Sequence, residues 1–282
     1  MTSVNLEAYI VENEAVFRLA AFLAVFALMT LWEIWRPCRN PRVRKGRRWI
    51  NNLALVILNT LLVRLLFPAA AVGVALFAGA NGWGVLNYLS WPPAAEFLAA
   101  LIILDMAIYL QHVMFHAVPL FWRFHRVHHA DPDFDVTTGV RFHPIEIIVS
   151  MLIKFVVILA LGPPLLAVIV FELILNAMAM FNHSNIRLPA GFEHALRLIF
   201  VTPDMHRVHH SMEIDEANSN FGFNLSWWDK LFGTYIDQPR MGHQAMAIGI
   251  RAYQDLNTCV SLPRILLIPF LGRVSGYTIN RR

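Results

Sequence analysis

The sequence predicts an all-α integral membrane protein, with about four transmembrane helices, a helical hairpin among them, and a His-rich helical cap on the cytoplasmic side. Three observations predict it. Hydrophobic residues make up 57% of the 282 residues and charged residues only 15%, with a mean hydropathy of +0.52. A soluble domain carries about 25% charged residues. Apolar stretches long enough to cross a bilayer recur along the chain. Eleven of the twelve histidines lie between His112 and His210. These features exclude a disordered chain, a coiled coil and an ordinary soluble enzyme. Cys38 and Cys259 are too few for a disulfide framework. A net charge of +4 and a pI near 9.3 would suit nucleic acid, but the positive charge sits between apolar spans, so no nucleic-acid partner is expected.

The elements follow in order. The first 14 residues carry Glu7, Glu12 and Glu14 and no Lys or Arg. A secretory signal starts basic, so this reads as a short mature N-terminus. Ala15 to Trp35 is a first span. Arg36, Arg39, Arg42, Arg44, Lys45, Arg47 and Arg48 then place seven positive charges within 13 residues, as in a cytoplasmic loop. Leu53 to Ala80 is a second span, which Pro68 should kink. Residues 80–93 hold no charge, and Trp83, Tyr88 and Trp91 suit the outer interface. Ala94 to Phe115 is a third span with Asp105 inside it. Ile145 to Phe181 reads as a hairpin turning at Gly162-Pro163-Pro164. Residues 182–258 form a polar cap, and Val260 to Leu271 is expected on the membrane surface. The domain division is 1–94 for the first spans and basic loop, 95–240 for the catalytic domain, and 241–282 for the tail.

The basic loop places residues 36–48 in the cytoplasm. Span two leads out and span three leads back. The hairpin crosses twice or re-enters, so every histidine faces one compartment.

His112 and His116 stand at i, i+4 and share a helix face. His125-x-x-His128-His129 and His206-x-x-His209-His210 repeat one pattern, each expected to present three nitrogens together. His143 and His183 lie nearby in sequence, whereas His194 and His243 stand alone. Eight clustered imidazoles exceed the four ligands of one tetrahedral zinc. They suit two metal ions with three or four nitrogens each. Imidazole suits zinc, copper, iron and nickel, and open positions beside a membrane favour a redox metal that activates oxygen. A bis-imidazole haem fits less well, because it needs separated single histidines on facing helices.

The segments LDMAIYLQHVMFH, FWRFHRVHHADPDFDVTTGVRFHPIE, FNHSNIRLP, VTPDMHRVHHS and NSNFGFNLSWWDKLFGTY resemble the fatty acid hydroxylase superfamily, also called the sterol desaturase family, over roughly residues 95–240. The resemblance implies a non-haem di-iron oxygenase that uses O2 to hydroxylate or desaturate lipid C–H bonds. The metal ligands it implies are His112, His116, His125, His128, His129, His206, His209 and His210, with His183 in addition. It leaves the role of His143 open. Many eukaryotic members have HxxxxH where this chain has HxxxH, so no substrate is carried over. Fatty acyl chains, ether lipids, aminolipids, sterols and carotenoids all stay open.

Asp105 lies two helical turns before His112. It is the candidate to orient that ring, or else to balance a cation such as Arg64. Asp131, Asp133, Asp135, Asp204, Glu213 and Asp229 are further carboxylates for ligand support. Trp227, Trp228, Phe232 and Tyr235 would form a floor where the cap meets lipid. Asn218 and Asn220 suit turns or hydrogen bonds to ligands. Lys154 and Glu172 each lie nine residues from Pro163 on opposite hairpin arms and should pair. No GxGxxG motif, cysteine cluster or fused haem domain is recognisable, so two electrons must come from a separate donor, a ferredoxin or a cytochrome with its reductase, docking on the basic surface. The expected location is a cell membrane, the inner one in a bacterium, with the histidines on the cytoplasmic face. The alternative from another class is a zinc transporter or sensor, although transport sites normally lie near the bilayer midplane.

Overall fold

The computed structural model describes residues 9–272 and Ile279; Glu7, counted above in the acidic N-terminus, lies outside them. The architecture is all-helical. Five segments are long and apolar enough to cross a membrane, namely the three predicted spans and both arms of the hairpin. Among the described residues extended pairing is limited to isolated bridges such as Pro37 with Ile186.

Helix α1 (Glu14–Trp35) ends where Pro37 keeps the preceding residue out of the helical region. Helix α2 (Lys45–Leu66) starts within the basic segment, eight residues before the apolar run. Pro68 ends it outright instead of kinking it, and α3 (Ala70–Asn81) restarts after the break. Helix α4 (Pro93–Ala117) and α5 (Pro119–His129) both open with proline at the first turn. Val118 between them is held extended by Pro119, and this corner folds the α5 histidines back onto those of α4. The hairpin is α6 (Pro144–Leu161) and α7 (Leu165–Asn182). Helix α8 (Ala190–Leu196), α9 (Pro203–His209), α10 (Trp227–Phe232) and α11 (Leu262–Leu267) belong to the cap and tail.

The membrane core forms where α3 and α4 pack on the hairpin, through Ala75, Leu104, Ile158, Val168 and Phe171. Helix α1 packs on α7 and leaves Leu19, Leu23, Leu28 and Leu31 exposed, as a lipid-facing side requires. At the hairpin tip, Gly162 (φ +62°) meets Gly84 (φ +98°). A Cβ on Gly84 would lie 2.1 Å from the Gly162 nitrogen, so the backbones approach where side chains have no room.

Lys154 Nζ lies 2.7 Å from Glu172 Oε1, as counting from the hairpin turn predicts. Arg18 of α1 joins the same carboxylate. Two expectations are corrected. The basic run, expected to be a loop, is helical from Lys45 on, and Arg48 is 1% exposed and lies between Asp131 and Asp135, at 2.5 and 2.6 Å. The tail does not simply lie on the surface. Ile265 and Ile268 are buried against Leu55, Trp122 and Val127, while Leu267, Phe270 and Leu271 face outward.

Candidate metal centre

Four elements converge at one end of the bundle. The last turns of α4 carry His112 and His116, α5 carries His125, His128 and His129, His183 follows α7, and the α9 segment carries His206, His209 and His210. All nine are buried. They form two groups. His112, His116, His125, His129 and His209 offer ring nitrogens within 4.8 Å of one another, and so do His128, His183, His206 and His210. Each triplet is therefore divided between groups and does not present its nitrogens together. The reason lies in helix geometry. At about 100° per residue, i and i+4 differ by about 40°, whereas i+3 and i+4 diverge by about 100°. Thus His125 and His129 aim one way and His128 another, and His206 and His210 separate likewise from His209.

The hydrogen bonds behind the rings set the tautomers. His112 Nδ1–H donates to the Phe221 carbonyl at 2.8 Å, His209 Nδ1–H to Ser219 at 2.7 Å and His183 Nδ1–H to Ala179 at 2.7 Å. His125 Nδ1–H faces Glu146 Oε1 at 2.6 Å, and His116 Nδ1–H faces Asn218 Oδ1 at 3.3 Å. In each neutral ring this leaves a lone pair on Nε2. His112 and His125 then point two lone pairs at each other across 3.2 Å. His183 Nε2 stands 2.9 Å from that of His206 and 3.1 Å from that of His128. His209 Nε2 and both nitrogens of His210 are buried with no hydrogen-bond partner among the described residues. Burial holds the cap histidines below their usual pKa, His183 at about 3, so they are neutral at pH 7. Converging neutral lone pairs repel unless a cation lies between them, and the donor set fits one transition-metal ion in each group.

The sequence model of the family described as fatty acid hydroxylase matches residues 97–234, a stretch that contains both histidine groups. Over that stretch the chain resembles the fatty acid hydroxylase family. Ornithine lipid hydroxylase OlsE of Rhizobium tropici is 29% identical over 227 residues, covering 78% of this chain and 67% of that protein. Human alkylglycerol monooxygenase is 30% identical over 148 residues, 52% of this chain and 32% of that protein. Mouse cholesterol 25-hydroxylase is 27% identical over 165 residues, 57% of this chain and 53% of that protein. The chain thus spans about a third of the length of the alkylglycerol monooxygenase it matches. No solved structure matches the chain.

Carboxylates support the rings by routes that the sequence showed only in part. Glu146, on the first turn of α6, was not foreseen. Its nearest signal is its place three residues after His143 in RFHPIE. Asp105 does not touch His112, nor does it pair with Arg64. It accepts from the Asn224 and Leu225 backbone N–H at 3.3 and 3.1 Å, and from Trp228 Nε1 at 2.8 Å. Asp229 accepts from the Phe221 and Gly222 N–H, both at 2.8 Å, and burial pushes its pKa up to about 6. Together they fix the 218–229 segment, which supplies the Phe221 and Ser219 carbonyls and Asn218 to three rings. Asn220 holds a positive φ of 51° and donates to Met205 and Ile236 carbonyls.

The other acids act elsewhere. Asp131 and Asp135 bind Arg48, Asp133 caps the Arg42 and Val43 backbone, Asp204 pairs with Arg207 and Glu213 with Arg251. His143 lies outside both groups. Its Nδ1 accepts from Ile145 N–H, capping α6, and its Nε2 faces the Leu266 carbonyl. His194 is exposed, and His243 lies beside Arg207. Of the aromatic floor, Trp228 is buried on Asp105 while Trp227 and Phe232 face outward.

Proposed function

We propose that this protein is a membrane-bound non-haem di-iron oxygenase that hydroxylates, or desaturates, a C–H bond of a lipid with O2 and two electrons from a separate donor. The observation that carries this reading is the pairing of a five-imidazole group with a four-imidazole group. Two ions held by nitrogen donors alone would keep coordination positions open. His112, His116, His125, His129 and His209 would hold one iron, and His128, His183, His206 and His210 the other. Iron bound there supplies the redox chemistry that an unactivated C–H bond demands.

The chain's own part is to hold the rings and keep water out. Phe221 and Ser219 fix two tautomers through their carbonyls, and Glu146 fixes a third. Phe142 stacks on the His128 ring at 4.5 Å, and Phe134 covers His210 at 5.1 Å, so apolar surface surrounds the nitrogens. The relatives' names support a lipid substrate, and the apolar helices give such a substrate access from the bilayer. The reading places the histidines on the cytoplasmic face, near an electron donor docking on the exposed Arg42, Arg44 and Arg47. Residues 95–240 would form the catalytic unit, between the first spans (1–94) and the tail (241–282). Against zinc transport speaks the position of His112 and His116 at the end of α4, away from its middle.

The test is turnover. Protein purified under iron-replete, reducing conditions should hold about two irons per chain and consume O2 with lipid and a reductant. A lipid product heavier by one oxygen or lighter by two hydrogens should appear. Metal-replete protein that moves zinc into vesicles and never consumes O2 would replace this reading with transport.

A further inference from the structure

Where the chain leaves α1 it borders a cavity of about 520 Å³, separate from both histidine groups. Ligand sites commonly measure roughly 300–1,000 Å³. Its wall includes Arg39, Arg42 and Arg187 with Cys38, Gln244 and Met246, and no acidic side chain among the described residues lines it. Arg39 sets its character. This residue is 8% exposed. Its Nη1 donates to the His243 carbonyl at 3.3 Å and its Nη2 to that of Met246 at 2.8 Å, while the buried Nε has no hydrogen-bond partner among the described residues. Arg48 pairs with Asp131 and Asp135, and Arg207 with Asp204, but Arg39 has no ion pair among the described residues. Asp133 acts on Arg39 through space, but its oxygens accept from the backbone N–H groups of Arg42, Val43 and Phe134, and the charges of Arg207 and Arg42 oppose it. A guanidinium does not shed its proton, and an incompletely balanced buried charge is costly. With Arg42 and Arg187 also at the wall, Arg39 leaves room for a further anion.

The depth of the cavity indicates where such an anion comes from. The wall begins just after Trp35 and Arg36, both exposed, with the guanidinium 5.4 Å above the indole. These residue types mark the end of a span at the bilayer interface. The wall is also braced. Asn185 accepts from the Arg39 N–H at 3.0 Å and donates to the Arg39 carbonyl at 2.8 Å, two residues beyond His183. Met246 packs on Phe134, whose ring lies 5.1 Å from His210. Two side chains thus separate the cavity from the second histidine group.

We propose that this cavity binds a phosphate or carboxylate oxyanion, held by Arg39 from within and by Arg42 and Arg187 at its mouth. The depth favours the headgroup of an anionic lipid in the adjoining leaflet. The site stands whether or not that lipid is the one oxidised.

The test uses the full chain, metal-loaded, in mixed phosphatidylcholine and phosphatidylglycerol bilayers, with retained lipid counted by native mass spectrometry. Phosphatidylglycerol should be retained in preference. The double variant Arg42→Gln/Arg187→Gln changes only exposed side chains. It should lose that preference about tenfold, the scale of one charge-assisted hydrogen bond, at unchanged Tm. Arg39→Gln should lose more, and if it fails to fold the double variant still decides. In a second arm inorganic phosphate is titrated into protein held in phosphatidylcholine alone. Saturable binding that the double variant weakens, with no lipid preference, supports the oxyanion site and assigns it a soluble ligand. Equal retention of both lipids by wild type and double variant, with no phosphate binding, overturns the proposal.

Discussion

At the scale of single residues, the centre depends on which atom stands behind each imidazole. Among the described residues Glu146 is the one carboxylate hydrogen-bonded to a ring of the two groups, and its loss should be felt in metal binding. Glu146→Ala should lower transition-metal content at limiting metal by roughly 10–100-fold in affinity. Glu146→Gln keeps an acceptor oxygen and should lose less. Full loading of Glu146→Ala would refute the supporting role. Asp105 gives a different expectation. Asn offers one acceptor oxygen where Asp105 now receives three donors. Asp105→Asn should therefore lower Tm and metal content together, by loosening the 218–229 segment. A melting curve with metal analysis on the folded fraction checks it, and normal values for both would discount the coupling. The clustering of the histidines was legible because HxxxH and HxxHH state their spacing within one helix. The supports were not. Glu146 is 21 residues from His125, and the Phe221 and Ser219 carbonyls have no side-chain signature at all. Asp105 was visible as a charge inside a span, but its partners lie 119 to 123 residues away.

Among helices, local punctuation was readable and packing was not. The Gly162-Pro163-Pro164 turn marked the hairpin, and counting from Pro163 paired Lys154 with Glu172, whereas Pro68 was read as a kink and ends its helix. Arg18 escaped because it comes from α1, which no local count relates to α7. Removing the shared carboxylate leaves two cations facing each other, so Glu172→Gln should destabilise the protein by about 3–5 kcal/mol, seen as a lower Tm in detergent. A Tm equal to wild type would mean that solvent reaches the cluster. At the hairpin tip, Gly84→Ala forces a Cβ against the Gly162 backbone and strains a positive φ. It should cost about 1–3 kcal/mol and leave the metal content of the folded protein unchanged.

For the whole molecule, the fold class followed from composition and hydropathy, because a bilayer admits few solutions for the backbone. The tail and the buried Arg48 were not legible, because each depends on contacts with distant segments. The sidedness proposed for the cap can be measured. With Cys38 and Cys259, both buried, replaced, single cysteines at residues 40 and 240 should label from the cytoplasm and one at 85 from outside. Opposite labelling of 40 and 240 would place the cap across the membrane from the basic segment.

Acid gives a second global test. The cap histidines have depressed pKa values when folded, His183 at about 3, whereas an unfolded chain takes up these protons near pH 6.5. Below that pH the unfolded state binds more protons, so stability falls as pH falls. Metal-free protein should melt at progressively lower temperature from pH 7 to pH 5. A flat profile would mean that the rings are hydrated in the absence of metal.

The division of each triplet has a mechanical consequence. Helix α5 and the α9 segment each contribute to both groups, so two loaded ions would join them at two points. One pin between two rods leaves a swivel, and two pins remove it. Half-loaded protein should thus keep a torsional freedom between α5 and α9 that vanishes only with the second ion, visible as hydrogen exchange in both elements slowing at that step.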